Sequence, residues 1–310
     1  MKNNKFMYKQ KSFTLIELLV VIVIIGILAG VVMISTSSSI DKANIAKVKV
    51  FEESVSNNLA ANMISAWDAD HVTKDTTWTL NDKWGNNNGT FYDGTVTTCS
   101  SSACPQIVND KQMGSVLSFD GVNDYISLGN YTPLYPSPNL SISFWIKPSL
   151  NKSETILGKF NRAGGAVKNW TLGSWIYNTG WFAYGIGNGS TANFNGSIYQ
   201  MTKNNWYYVL INHSGANSIV KFYINGQYIA GEDLILNISP RVTSNSYYIG
   251  GDSSGNYFSG MLDDIKIYSA DLSSSQIKQN YIAGLNSMLA NGNISTQEYN
   301  ERINVLAYDN

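Results

Sequence analysis

The first structural element that the sequence predicts is the apolar run Phe13-Thr14-Leu15-Ile16-Glu17-Leu18-Leu19-Val20-Val21-Ile22-Val23-Ile24-Ile25-Gly26-Ile27-Leu28-Ala29-Gly30-Val31-Val32-Met33. A helix rises about 1.5 Å per residue, so a helix of this length matches the roughly 30 Å hydrocarbon core of a bilayer. The leader before it is basic, with Lys2, Lys5, Lys9 and Lys11. This asymmetry predicts a membrane-spanning helix over residues 13–33 with a cytoplasmic N-terminus and an exported C-terminus.

One charged side chain, Glu17, interrupts the apolar run. A carboxylate inside a membrane costs about 2.5–3.5 kcal/mol on insertion scales. A cleaved secretory signal does not account for the run, because its apolar part normally spans about 7–15 residues. A plain membrane anchor fits the length but leaves the acid unexplained. We therefore expect Glu17 to have a partner.

The segment Lys11-Ser12-Phe13-Thr14-Leu15-Ile16-Glu17-Leu18-Leu19 resembles the class III leader of type IV prepilins and pseudopilins. The resemblance implies that a prepilin peptidase cuts between Ser12 and Phe13 and that the new amine of Phe13 is methylated. The family usually has glycine before the cut, where this chain has Ser12. The resemblance also implies that the Phe13 amine lies near Glu17 of a neighbouring subunit and fixes the register of assembly. The alternative is that Glu17 favours its own helix N-terminus and snorkels to the interface.

A second helical pattern follows the apolar run. Its stripe recurs at spacings of three and four through Ile40, Ala43, Lys47, Phe51, Val55, Leu59 and Met63. The pattern predicts one long helix over residues 13–63, apolar in its first half and amphipathic in its second. Pilins are similar, with the first half packed in the filament core and the second lying against a globular head. A membrane-proximal stalk or coiled coil is the alternative.

The composition limits the function classes. The net charge is −1 and only 14% of the residues are charged, so the basic balance typical of nucleic-acid binding is missing. Aromatic residues make up 12% of the chain, and Ser, Asn, Thr and Gly fill the intervals between them, as in an extracellular β-domain. The two cysteines, Cys99 and Cys104, predict a local disulfide worth about 2 kcal/mol, with a redox or metal role as the alternative.

Strand-like segments separated by turns fill residues 115–271, after a stretch from Ile64 to Asp110 that reads as irregular. Asn225-Gly226 predicts a tight type I′ hairpin turn. Many short strands with no helical pattern between them predict a mainly β fold, an antiparallel sandwich or jelly roll. The predicted strands are Ser115–Phe119, Tyr125–Leu128, Leu140–Lys147, Thr155–Phe160, Trp170–Ile176, Trp181–Ile186, Trp206–Asn212, Ile219–Ile224, Tyr247–Gly250 and Gly260–Tyr268.

The segment Leu117-Ser118-Phe119-Asp120-Gly121-Val122-Asn123-Asp124-Tyr125-Ile126 resembles the first strand pair of laminin-G-like domains of the concanavalin A-like superfamily. Residues 141–148, 222–227 and 260–268 are similar to later strands of that family in the same order, and residues 82–90 are similar to its opening loop. The resemblance implies two antiparallel sheets packed face to face.

Related domains often hold one calcium ion between the opening loop and the last strand. Calcium takes six to eight oxygen ligands, including backbone carbonyls. The resemblance implies that its ligands here are Asp82, the carbonyls near Asn86 and Asn88, and Asp263 or Asp264. The alternative is that these side chains form Asx turns, cap turns or face solvent.

Because the superfamily includes glycanases, the resemblance also raises the hypothesis of an enzyme. Glycoside hydrolysis ordinarily needs two positioned carboxylates, and the glutamates of the predicted sandwich, Glu154 and Glu232, stand far apart in sequence. His71 and His213 give no nucleophile–base arrangement. We therefore expect no catalysis, with a surface-tethered polysaccharide enzyme using an unfamiliar carboxylate pair as the alternative.

Exposed aromatic side chains can stack against sugar rings. A segment rich in Gly and Asn contains Trp175, Tyr177, Trp181 and Tyr184, which are candidates for such a glycan site. Aromatic residues at strand spacing are more often part of the core, and that interpretation is favoured for these four.

Helical sequence returns after Leu272, over Ser273–Ala290, and a capping box at Ser295 begins a short last helix through Ala307. The predicted organisation is a leader over 1–12, a pilin-type helix over 13–63, a laminin-G-like sandwich over 64–272 and a helical segment over 273–310. The predicted function is a type IV pilin-like filament subunit that displays an extracellular recognition and adhesion domain.

The expected location is the cytoplasmic membrane of a prokaryote and then a filament on the cell surface. The expected partners are other pilin subunits, the prepilin peptidase, the inner membrane before assembly, and a glycan or other surface ligand. A secretion-system pseudopilin with a purely structural head is the alternative.

Overall fold

The computed structural model describes residues 15–16, 18–24, 50–51, 54–55, 57–94, 99, 103–130, 139–159, 172–188, 191–215, 217–235, 246–252 and 255–307. The chain divides into compact units of residues 1–50 and 51–310. In the first unit, residues 15–16 and 18–24 are helical and their side chains are exposed. No helix within the described ranges has both the length and the apolar character needed to cross a membrane. Ser12, Phe13 and Glu17 lie outside these ranges, so the predictions made for them stay predictions.

The second unit consists mainly of short antiparallel strands. The described strands are β1 (Met63–Trp67), β2 (Val72–Lys74), β3 (Trp78–Leu80), β4 (Gly89–Asp93), β5 (Gln106–Asp110), β6 (Gly114–Asp120), β7 (Asp124–Ser127), β8 (Asn139–Pro148), β9 (Glu154–Lys159), β10 (Leu172–Ile176), β11 (Trp181–Gly187), β12 (Ala192–Gln200), β13 (Tyr207–Ser214), β14 (Ile219–Ile224), β15 (Gln227–Tyr228), β16 (Leu234–Ile235), β17 (Tyr248–Ile249) and β18 (Ser259–Tyr268).

These strands form two nine-stranded sheets. Sheet 1 has the order β15-β14-β13-β8-β18-β6-β5, with β1 paired to β18 and β16 paired to β14. Sheet 2 has the order β12-β11-β10-β9-β17-β7-β4-β3-β2. The main core lies between the two sheets, because alternate residues of each strand, such as Phe144 in sheet 1 and Phe91 in sheet 2, point inward. The predicted mainly β, antiparallel sandwich is confirmed.

A C-terminal pair of helices, α1 (Ser274–Ala290) and α2 (Thr296–Ala307), is also present as predicted. Ser273 and Gln276 form a capping box at the start of α1, and Ser295 Oγ accepts the backbone N–H of Glu298 at the start of α2. The stripe residues Tyr281 and Leu285 are buried in a second core on the outer face of sheet 1.

Residues just before β1 belong to that second core. Val55 is 5% exposed and Leu59 is 2% exposed, and both pack with side chains of sheet 1 and α1. The end of the predicted amphipathic helix is therefore part of the folded unit.

Each predicted strand corresponds to a described strand whose ends differ by a few residues. The Asn225-Gly226 turn is also confirmed, because both residues have positive φ angles, 53° and 78°. A Cβ at position 226 would lie 3.0 Å from Tyr281 Cδ1 and 3.1 Å from Leu306 Cδ2, so glycine lets this turn sit against the helices.

The prediction that Ile64–Asp110 is irregular was wrong, because β2 to β5 and all but the first residue of β1 lie within it. These strands are only three to five residues long, which is too short for an alternating pattern to be detected. The long edge strand β12 was also missed, and its sequence Ala-Asn-Phe-Asn-Gly-Ser-Ile-Tyr-Gln mixes polar and apolar residues without regular alternation.

Candidate functional site

The opening loop is organised by the carboxylate of Asp82. Its Oδ1 accepts backbone N–H groups from Ala66, Trp84 and Gly85 at 3.0–3.1 Å. Its Oδ2 accepts the backbone N–H and the side-chain amide of Asn87, at 3.1 and 3.3 Å. Burial alone would raise the pKa of Asp82, but these N–H donors outweigh it and the pKa is lowered. The carboxylate therefore holds the loop in a turn against β1.

The other predicted calcium ligands have different partners. Asn88 Oδ1 accepts the backbone N–H of Asp82 at 2.8 Å, whereas Asn86 is exposed. Asp263 is buried and its Oδ1 accepts the backbone N–H of Ala69 at 3.1 Å. Asp264, at a bulge in β18 with φ of 48°, pairs with Lys266 Nζ at 2.7 Å.

In these contacts the oxygens of the predicted calcium ligands are bonded to protein donors. A carboxylate offers about four lone-pair positions, and five N–H groups already point at that of Asp82. Within the described residues, no group of three or more His, Cys, Asp or Glu side chains is placed to hold a metal ion. The arrangement of Asp82 is the Asx turn that was the alternative at this position, and calcium binding stays a prediction to be tested.

The four aromatic residues proposed as a glycan site do not share one surface. Tyr184 points into the core between the sheets, where its hydroxyl lies 2.6 Å from His213 Nε2. Trp175 is 2% exposed and lies on the opposite face of sheet 2 with Ala183. Tyr177 packs edge-on against Trp175, and Trp181 is 36% exposed at the start of β11. The separation follows from strand geometry, since neighbouring residues alternate between faces.

The remaining sequence candidates have local roles. Cys99 and Cys104 form the predicted disulfide, and both are buried. The carbonyl of Cys99 accepts the backbone N–H of Trp78, so the bridge is tied to β3 near the edge of sheet 2. His71 is exposed and bonded to Asp68, and His213 is buried, which lowers its pKa to about 4.

The two glutamates of the enzyme alternative lie apart. Glu154 is fully buried, its Oε2 accepts the backbone N–H of Ser259 at 3.0 Å, and burial raises its pKa to about 7. Glu232 bonds to Asn195 on β12. Strands β9 and β12 are three strand spacings apart in sheet 2, roughly 14 Å. Paired glycosidase carboxylates are normally about 5–9.5 Å apart.

Four tyrosines that the sequence predictions did not include lie together on the outer face of sheet 2. We call Tyr92, Tyr125, Tyr248 and Tyr257 the tyrosine cluster. The rings of Tyr92 and Tyr125 are stacked, with centroids 5.0 Å apart and planes 4° apart. Tyr257 also stacks on Tyr125, with ring centroids 6.0 Å apart, and Tyr248 meets Tyr125 edge-on at 5.5 Å. Burial and the neighbouring tyrosines raise the pKa of Tyr125 to about 12.

A cluster of aspartates lies at the end of β4, the end of β6 and the start of β7. It consists of Asp93, Asp120 and Asp124, together with Asn123, whose amide nitrogen lies 3.3 Å from Asp93 Oδ1. Asp124 is 3% exposed, and its Oδ1 has no hydrogen-bond partner among the described residues. Burial raises the pKa of Asp124 to about 7, and the charges of Asp120 and Asp93 add to this effect.

The tyrosine cluster was missed because its members are spread from position 92 to position 257. One signal was present in the sequence. Each strand tyrosine stands beside an inward-facing apolar residue, as Tyr92 does beside Phe91, Tyr125 beside Ile126 and Tyr248 beside Ile249. Only the strand order β17-β7-β4 brings these tyrosines together.

Comparison with known families identifies two parts of the chain. The description "Concanavalin A-like lectin/glucanases superfamily" matches residues 120–278. The prokaryotic N-terminal methylation motif matches residues 7–33, which confirms the predicted prepilin-type leader. No curated protein matches the chain.

Several solved structures have a similar fold. Domain 4 of AbnA, a GH43 extracellular arabinanase from Geobacillus stearothermophilus, in complex with arabinotriose, is 19% identical with a TM-score of 0.51, over 70% of this chain and 97% of that one. The botulinum neurotoxin serotype D ligand binding domain, in complex with N-acetylneuraminic acid, is 17% identical with a TM-score of 0.54, over 74% of this chain and 53% of that one. The binding domain of Paraclostridial Mosquitocidal Protein 1 is 15% identical with a TM-score of 0.53 and the same coverage. The chain thus matches about half the length of these toxin domains, and the likeness is one of fold.

Proposed function

The chain belongs to the concanavalin A-like lectin/glucanases superfamily, and from this premise we propose that it is a type IV pilin-like filament subunit whose sandwich recognises extracellular glycans. The observation that carries the proposal is the presence of two matches in one chain. The methylation motif occupies residues 7–33, and the superfamily domain occupies residues 120–278. A leader of this type commits a protein to export and assembly, and the domain that follows is what the filament displays.

In this proposal each part of the N-terminal region has one task. Prepilin peptidase removes residues 1–12 by cutting between Ser12 and Phe13. Residues 13–33 hold the subunit in the cytoplasmic membrane before assembly, and residues 13–63 form the filament helix. The methylated amine of Phe13 pairs with Glu17 of a neighbouring subunit, because two opposite charges in apolar surroundings specify alignment.

Mass spectrometry of the membrane-extracted protein tests the processing step. We expect a mature chain that begins at methylated Phe13. A protein that retains Met1 through Ser12 would contradict the proposal.

Substitution of Glu17 tests the assembly step separately. We expect Glu17→Ala to leave membrane insertion intact and to impair incorporation into filaments, because the Phe13 amine loses its partner. Glu17→Asp keeps the charge and is the matched control, with incorporation closer to that of the unsubstituted protein. Normal incorporation of Glu17→Ala would refute the pairing.

The recognition part of the proposal is supported by the fold and by what two similar structures contain. Domain 4 of AbnA is in complex with arabinotriose, and the serotype D toxin domain is in complex with N-acetylneuraminic acid. The test is a glycan array probed with the full-length protein in detergent. We expect binding to at least one glycan class. Complete absence of binding would favour the secretion-system pseudopilin, whose head has a structural role.

A surface-tethered enzyme is the second candidate, because one similar structure is a domain of an arabinanase. The positions of Glu154 and Glu232 argue against it, since one is buried and the other lies beside a different strand. We expect no reducing ends to be released from arabinan by the full-length protein. Release that is abolished by Glu154→Gln or by Glu232→Gln would establish the enzyme instead.

A further inference from the structure

A cavity of about 590 Å³ lies between the outer face of sheet 1 and helix α1. Its lining comes from β1, β18 and α1, and from Val55 and Leu59 in the segment before β1. Small-ligand pockets usually have volumes of roughly 300–1,000 Å³. The cavity is therefore large enough to hold a small organic molecule.

Part of the lining is apolar and closely packed. Val55, Leu59 and Met288 are each at most 5% exposed and belong to the second core. Apolar ligand surface that leaves water against such side chains gains about 25 cal/mol per Å². A ligand of this cavity should therefore carry an apolar body.

The charged part of the lining is acidic on balance. Six charged side chains line the cavity, namely Asp68, Asp70, Asp263, Asp264, Lys83 and Lys266. Lys83 Nζ is bonded to Asp68 Oδ2 at 2.7 Å, and Lys266 Nζ is bonded to Asp264 Oδ2 at the same distance. Both lysines are thus paired, whereas Asp70 and Asp263 form no ion pair in the described part of the chain.

The two unpaired aspartates differ in exposure. Asp263 is 8% exposed, and burial raises its pKa well above the usual value, so this carboxyl can be protonated. Asp70 is exposed and keeps an acidic excess in the lining whatever the state of Asp263. An anion in the cavity would meet like charge, whereas a cation would be attracted more strongly than in bulk water.

An aromatic side chain stands among these charges. Trp84 lines the cavity and is 49% exposed, so it lies at the mouth, as exposed Asp70 does. The backbone N–H of Trp84 is bonded to Asp82 Oδ1 at 3.1 Å, which fixes the loop that carries the ring. Tryptophan is the best aromatic partner for organic cations, and quaternary ammonium ligands are recognised in this way.

We propose that this cavity binds a small organic cation, an ammonium group carried on an apolar body. Asp70 and Trp84 take the ammonium group, and Val55, Leu59 and Met288 surround the apolar body. The inference goes beyond glycan recognition and does not depend on it, so either can fail while the other stands.

The test measures binding of charged and uncharged compounds of the same shape to the full-length protein in an uncharged detergent, by titration calorimetry. The cations are choline and phenylethylammonium, their neutral counterparts are dimethylbutanol and phenylethanol, and phenylpropanoate is the anion. We expect at least one cation to bind, its neutral counterpart to bind at least tenfold more weakly, and the anion not to bind.

Substitutions at the mouth locate the ammonium group. Asp70→Asn should weaken cation binding at least threefold. The matched control is Asp271→Asn, since Asp271 is also exposed but precedes α1 and does not line the cavity. It should change the affinity less than twofold. Trp84→Ala should weaken binding, and Trp84→Phe, which keeps an aromatic face, should retain more of the affinity.

A substitution inside the cavity locates the apolar body. Ser287 is half-buried in the last turn of α1 and lines the cavity, so Ser287→Leu should fill part of the space and weaken cation binding at least tenfold. If this variant misfolds, Asp70→Asn still decides the location, because it changes only an exposed side chain.

Four results would overturn the inference. They are failure of both cations to bind, equal binding of a cation and its neutral counterpart, preference for the anion, and cation binding that Asp70→Asn and Ser287→Leu leave unchanged.

Discussion

The outer faces of the two sheets carry similar aromatic residues but differ in how deeply those residues are buried. On sheet 1, the outward-facing Trp145, Tyr208 and Tyr268 are each at most 1% exposed, because α1 and the residues before β1 cover them. On sheet 2, the outward-facing members of the tyrosine cluster stay half-buried. Strand alternation alone produces both rows of aromatics. The difference teaches that strand alternation produces outward aromatic rows, whereas their burial depends on covering elements such as α1, and none of the described helices covers the tyrosine cluster.

Trp145 tests the covered face and should give the largest effect. Its ring contacts Tyr208 and Tyr281, and a Cβ on Gly284 of α1 would lie only 2.8 Å from it. Trp145→Ala should lower the free energy of unfolding by about 3–5 kcal/mol, the usual cost of emptying a buried aromatic site. Urea unfolding of the full-length protein, followed by tryptophan fluorescence, measures this.

Trp181→Ala is the matched control, because Trp181 lies on sheet 2 and is 36% exposed. It should cost about 1 kcal/mol or less. Similar losses for the two variants would contradict the contrast between the faces.

The sequence predicted the covered face better than the open one. The helical stripe of Ile277, Tyr281 and Leu285 lies on consecutive turns of one helix, so its periodicity alone revealed an apolar face in need of a partner. Which surface that partner was could not be read, because Trp145 and Tyr208 become neighbours only through the pairing of β8 with β13. Local patterns predict faces, and strand order decides which faces meet.

Lowering the pH should have the next largest effect on stability, because it protonates a buried histidine between the sheets. His213 lies between the sheets against Tyr184, and burial lowers its pKa from about 6.5 to about 4. The unfolded chain therefore binds a proton between pH 6.5 and 4 that the folded protein does not. Stability should fall by roughly 3 kcal/mol as the pH drops through this window. His213→Gln should remove this part of the dependence, as seen by melting between pH 4 and 8.

Asp124 should act in the opposite direction. Its pKa is raised from 3.8 to about 7, so the folded protein keeps a proton that the unfolded chain has lost. Stability from this group is full below about pH 4 and is lost as the pH rises through 7. Asp124→Asn should therefore equal the unsubstituted protein at pH 4 and exceed it in melting temperature at pH 8. An equal difference at both pH values would show that the carboxyl does not titrate in this window.

The disulfide lies near the β2 edge of sheet 2, and we expect its removal to lower the free energy of unfolding by less than the loss of Trp145. The bridge between Cys99 and Cys104 closes a short loop, and its carbonyl contact with Trp78 touches only β3. Replacing both cysteines with serine should cost about 2 kcal/mol, the chain-entropy value for so small a ring. Reduction of the unsubstituted protein with dithiothreitol should give the same loss. A larger loss in the variant alone would point to packing around the buried sulfurs.

For the candidate site, as for the fold, the sequence predicted the features formed by residues close together in the chain and missed those formed across strands. Cys99 and Cys104 are five positions apart, so their pairing could be predicted from sequence and is confirmed. The four aromatics between 175 and 184 were grouped by proximity in sequence, yet Tyr184 and Trp175 point to opposite faces of sheet 2. The tyrosine cluster was invisible for the converse reason, because its members are distant in sequence and adjacent only across strands. Sequence proximity is a poor guide to a site on a sheet.

Calcium should have the smallest effect of all. The opening loop joins β1 of sheet 1 to the edge of sheet 2 through Asp82, and the carboxylate of Asp82 is already occupied by N–H donors. An ion bound at a hundred times its dissociation constant would add about 2.7 kcal/mol. For a unit of this size that corresponds to a rise in melting temperature of roughly 5–10 °C.

We expect instead that 5 mM calcium and 5 mM EDTA give melting temperatures within about 1 °C of each other. Magnesium is the matched control for ionic strength and charge. A rise of several degrees with calcium that magnesium does not reproduce would show that the predicted ion binds. Asp82 would then have to exchange several of its N–H donors for the metal, and the loop that links the covered sheet to the open one would be held by an ion and not by the backbone.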